Sequence, residues 1–161
     1  MNTIIENEMK SVRDSEVNEK EMQRMCRERM LETVVADFRN LIKRSPEEGL
    51  VWKGTKCDLV ELCHSVWETQ ALRNERGVPL GFGAIVNSIF HVLNVVPPKA
   101  PAVVYSHLAD RKNVRVCSIT ERYLYLMQHE AVKDPMKLDI KRKRMSRRCE
   151  VFECEMEDGR C

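Results

Sequence analysis

Glycine and proline are scarce in this chain, six of each among 161 residues, and aromatic side chains make up only 6%. So little glycine leaves no fingerprint of a phosphate loop or a dinucleotide-binding turn, where the backbone must approach phosphate closely. Nucleotide-dependent enzymes of those kinds are therefore not expected. No run approaches the ~18 apolar residues that a membrane helix requires. The N-terminus also lacks a basic-then-apolar leader. The expectation is a cytoplasmic protein with no membrane partner. The cysteines agree with it: seven, an odd number, at positions 26, 57, 63, 117, 149, 154 and 161, with no CxxC pair. A disulfide framework would leave one thiol over, so they are read as reduced. Cys149, Cys154 and Cys161 lie close together but lack the tight paired spacing of zinc sites. No metal or cofactor is expected.

Charge is plentiful at 32%, with 27 Lys and Arg against 25 Asp and Glu, a net of +2. Its distribution is uneven. Residues 1–21 hold six acids and three bases, residues 137–148 hold seven bases and one acid, and residues 149–158 turn acidic again. Such blocks are usually solvated. They divide the chain into a flexible acidic start (1–15), a long first helix (16–45), a helical domain (50–130) and a basic-then-acidic tail (137–161). The sequence pI near 8.2 stays below the value of about 9 typical of strongly basic nucleic-acid-binding domains.

Apolar spacing predicts helix after helix. Neither glycine nor proline interrupts residues 16–44, where Met22, Met25, Leu31, Val34, Val35, Phe38, Leu41 and Ile42 make one face. Ser45-Pro46 ends this helix, since the residue before proline avoids helical angles. Thr55 with Asp58 three residues on forms a capping box, and Leu59, Leu62, Cys63, Val66 and Trp67 follow as a buried stripe. A third helix over 79–94 carries Phe82, Ile85, Val86, Ile89, Phe90 and Leu93 at helical offsets. Pro97-Pro98-Lys99-Ala100-Pro101 is a stiff connector, and Pro101 suits the first position of a fourth helix running to about Asp110. Val103, Val104 and Leu108 would be the inner face of that helix, with Tyr105 and His107 outside. Ser118 and Glu121 cap a fifth helix to about Glu130. Val114-Arg115-Val116 alternates briefly and could be a strand. The fold class is all-α, a small bundle of about five helices.

Catalytic constellations are absent from the pattern. His64 adjoins Cys63, but a nucleophile and its base more often come from separate elements. Asp58 and Glu61 share a helix face, yet Asp58 already serves as a cap. A non-enzymatic protein is expected. What remains is surface chemistry. The third and fourth helices, with Arg111-Lys112-Asn113-Val114-Arg115 after them, follow the order of a helix-turn-helix, in which the second helix enters the major groove. Tyr105, Ser106 and His107 are chemically able to meet base edges, and Lys99, Arg111, Lys112 and Arg115 to hold phosphates. The plainer reading is a helical bundle with a few exposed bases. The connector of about eight residues is longer than the three or four of a simple helix-turn-helix.

The stretch Trp52-Lys53-Gly54-Thr55-Lys56, then Asp58-Leu59-Val60-Glu61-Leu62, resembles the C-terminal domain of RteC-type regulators of Bacteroides conjugative elements. The likeness runs through the helix ending near Phe90 to Arg111-Lys112-Asn113-Val114-Arg115, roughly Val51 to Met127. It implies a helical domain of helix-turn-helix or winged-helix-like character in a bacterial transcriptional regulator of excision or transfer genes. Duplex DNA is then the expected partner, and the long first helix can join two copies into a dimer. The alternative is a helical protein-protein interaction module without DNA binding, whose first helix supplies the docking face.

Overall fold

The computed structural model describes residues 2–110 and 117–143. Among these the chain forms five α-helices: α1 (Asn2–Ile42), α2 (Lys56–Glu68), α3 (Phe82–Val92), α4 (Pro101–Asp110) and α5 (Ile119–His129). Two strands, β1 (Leu50–Trp52) and β2 (Ile140–Arg142), pair antiparallel, with Leu50 opposite Arg142 and Trp52 opposite Ile140. The all-α expectation holds. No helix among the described residues is long and apolar enough to cross a membrane.

Nothing between Asn2 and Ile42 breaks a helix, and α1 runs unbroken through 41 residues, about 60 Å at 1.5 Å per residue. It begins well before position 16, so the acidic start is helical. Only its last third is covered. Met30, Val34, Val35, Phe38 and Leu41 are buried, while every residue from 3 to 25 is exposed. Met22 and Met25, expected on the inner face, are 62% and 60% exposed. Both lie in the stretch of α1 that has left the body, where no side chain is covered whichever way it faces.

Helix α2 forms the centre of the domain. The Thr55 hydroxyl accepts from Asp58 N at 3.1 Å and the Asp58 carboxylate accepts from Thr55 N at 3.4 Å, completing the capping box. Leu59, Val60, Leu62, Cys63 and Val66 are wholly buried, and α2 contacts α1, α3, α4 and α5. A polar loop separates it from α3. Asn74 Oδ1 accepts from the amides of Arg76 and Val78, and Gly77 takes the left-handed conformation that closes the turn. The end of α3 is anchored by Asn94, whose amide donates to the carbonyls of Pro46 and Leu50 at 3.1 and 2.9 Å.

The expected tail departs from its assigned form at its beginning. Pro135–Leu138 forms a 3-10 turn with Pro135 and Met136 buried, and residues 140–142 lie along β1. Tyr123, 1% exposed, donates its hydroxyl to Asp139 at 2.6 Å, and Lys53 N donates to the Asp139 carbonyl at 2.8 Å. Burial of Tyr123, then its bond to Asp139, pushes the phenol pKa upward and keeps it a donor. Lys141 and Arg142 thus belong to the folded body. The two strands come from opposite ends of the domain, so they do not form a hairpin wing. Residues 144–161, with Cys149, Cys154 and Cys161, lie outside the described residues.

Candidate nucleic-acid interface

Ten residues build α4, and Pro101 starts it with an amide that needs no partner. The helix leans on α2 and α3 through Val104 and Tyr105, both half-buried against the core. Here the structure corrects the expected facing of two side chains. Val103 is 54% exposed. Tyr105 turns inward, its ring stacked on His64 with centroids 3.5 Å apart and planes 8° from parallel. The reason lies on α2: His64, Trp67 and the neighbouring Phe82 make an aromatic nest, with centroids 5.3 to 5.9 Å apart, that takes a flat ring better than a valine. Tyr105 therefore fastens α4 in place and leaves the outward surface.

The other side of α4 faces solvent. Ser106 and His107 are exposed there, and Lys99 is exposed in the connector just before the helix. Asp110 is the carboxylate on that side. Arg111, Lys112 and Arg115, and the brief alternation of Val114-Arg115-Val116, lie outside the described residues. Of the seven candidate residues, the structure places Lys99, Ser106 and His107 at the surface and Tyr105 in the helix packing.

Beside α4 a cleft of about 540 Å³ opens between α1, α2 and the start of α5. Arg27, Glu61, Glu68, Tyr105 and Glu121 are among its lining residues. Three carboxylates against one guanidinium make it a poor seat for phosphate. The Cys63–His64 neighbours are split between environments. Cys63 is wholly buried and burial pushes its thiol pKa well up, while His64 sits in the aromatic nest with Glu68 3.6 Å from its Nδ1. A thiol so displaced from ionisation is not a ready nucleophile. Among the described residues no three His, Cys, Asp or Glu side chains converge as metal ligands.

The Trp-Lys-Gly-Thr-Lys stretch has a structural meaning that its sequence did not reveal. Trp52 is 6% exposed, its indole N–H donates to the Thr55 carbonyl at 2.9 Å, and Gly54 lies directly beneath its ring. The motif locks β1 to the N-terminus of α2. No protein-family model, curated protein or solved structure matches the chain.

Proposed function

We propose that this chain is a DNA-binding transcriptional regulator that meets duplex DNA with the outward side of α4 and the bases that follow it. One observation carries the reading: the inward turn of Tyr105 commits one side of α4 to packing and leaves the other to solvent. That free side carries Ser106 and His107 and leads in sequence into Arg111, Lys112 and Arg115. Short polar side chains can reach base edges, and the basic residues neutralise phosphates. The resemblance to RteC-type regulators supports the reading further and suggests excision or transfer genes of a mobile element as its targets.

Fluorescence anisotropy on duplexes from the gene's own upstream region, against a scrambled control at two salt concentrations, tests this. Sequence-preferring binding that weakens steeply with salt is expected. Replacing both Arg111 and Arg115 with Ala should lower affinity and reduce the salt slope by at most about two, one unit for each phosphate no longer neutralised. Absence of binding to either duplex at low salt would overturn the proposal. It would favour the second reading, a helical interaction module, which rests on the uncovered residues 3–25 of α1.

A further inference from the structure

The side of α1 that enters the core is marked by Met30, Val34, Phe38 and Leu41. Followed toward the N-terminus in steps of three and four, the same side passes Cys26, Gln23, Glu19 and Glu16, then Val12, Met9 and Ile5. The last three are 55%, 52% and 58% exposed and share one shallow concavity with Glu8, Arg13 and Glu16. An apolar tip, a polar middle and an apolar root therefore lie along one line of the helix. Single exposed apolar residues need no explanation, but helices in water owe most of their stability to a packed face. This arm has such a face, and among the described residues nothing covers it.

We propose that the face seats a second copy of this chain, with the two α1 arms packed antiparallel. The spacing defines the seam, because residues 5, 9, 12, 16, 19, 23, 26 and 30 follow the alternation of three and four found in helix seams, and the flanking charges select the alignment along it. In antiparallel order Met9 faces Cys26 of the second copy, Val12 faces Gln23, and Ile5 reaches the level of Met30, where the arm joins the body. Met9 is thereby covered by the partly exposed Cys26 of the second copy and Val12 by the stem of its exposed Gln23. The flanks agree. Glu6 comes opposite Arg27 of the second copy and Glu8 opposite Arg29, each pairing occurring twice by symmetry. A parallel pair would leave only Glu8 and Arg13 complementary. Glu16 against Glu19, and Arg13 against Lys20, oppose the pairing near its middle and make the dimer one that dissociates on dilution. The inference stands apart from the DNA reading and does not depend on it.

Sedimentation velocity of the full chain over a dilution series tests the pairing. A monomer-dimer equilibrium is expected, weakened about tenfold or more by Met9→Lys with Val12→Lys, since each buried apolar side chain contributes that much or more. Both positions are exposed in the single chain, so the unfolding midpoint of the body, compared at a dilution where the parent is monomeric, should stay unchanged. Glu6→Arg with Glu8→Arg should weaken the dimer, and adding Arg27→Glu with Arg29→Glu should restore it. A monomer at every concentration overturns the proposal, as does a dimer indifferent to the lysine pair. A dimer that the fourfold charge exchange does not restore overturns the antiparallel alignment.

Discussion

The Tyr105 ring lies flat on the His64 ring, 3.5 Å between centroids, and this stack helps to fasten α4 to α2. Since α4 is only ten residues long, too short to be stable alone, its position depends on such packing. The orientation of the exposed side, and with it any recognition by Ser106 and His107, is set from inside.

A pair of substitutions separates packing from base recognition. Tyr105→Phe keeps the flat ring and should leave stability within about 0.5 kcal/mol of the parent. DNA affinity should also be unchanged. Tyr105→Ala removes the stack and should cost about 1–3 kcal/mol in urea unfolding, below the full value for a core aromatic because the residue is half-buried. DNA affinity should fall with it. Weakened binding by the Phe variant at unchanged stability would instead mean that the hydroxyl touches DNA.

The second prediction concerns Gly54. A Cβ built there would stand 2.8 Å from Trp52 Nε1 and 2.9 Å from Cε2. The indole would have to shift, and its bond to the Thr55 carbonyl would stretch or break. Gly54→Ala should therefore destabilise the domain by about 1–3 kcal/mol, the usual range for overpacking. Tryptophan emission should move to the red as Trp52 becomes wetter. A variant as stable as the parent, with unchanged emission, would show that the close fit over Gly54 is dispensable.

What was legible in the sequence was local. Thr55 with Asp58, Pro101, and Ser118 each announce a helix start through chemistry confined to three or four residues, and all three starts are where that chemistry puts them. The β1–β2 pairing joins residues some ninety positions apart through three residues on each side, too short a run to show alternation. Lys141 and Arg142 consequently read as part of a solvated tail. The facing of α4 depended on a histidine forty residues away. With Val103, Val104 and Tyr105 in succession, helical period alone leaves the inward side ambiguous. The first helix posed a different difficulty: Ile5, Met9 and Val12 repeat the spacing of Val34, Phe38 and Leu41, but periodicity does not report whether a face is covered.

A half-buried carboxyl pair yields the last prediction. Asp37, on the covered part of α1, contacts Asp134 just before the 3-10 turn, and an oxygen of each is shielded from water. Burial, then the hydrogen bond and the negative charge of Asp134, push the Asp37 pKa up from 3.8 to about 7. Lys137, 3.3 Å from Asp134 on the same turn, offsets part of this. Protonated Asp37 can donate to Asp134 and hold the turn against α1. The folded value lies above the unfolded one, so the folded chain binds this proton more tightly. The resulting stabilisation is complete below about pH 4 and is lost as pH rises through about 7. Asp37→Asn supplies an amide donor that does not titrate. Thermal unfolding of the two proteins should therefore show the variant more stable at pH 8, with the gap narrowing steadily toward pH 5. A gap that is constant between pH 5 and pH 8 would mean that Asp37 is already ionised in the fold and that no shared proton ties the turn to α1.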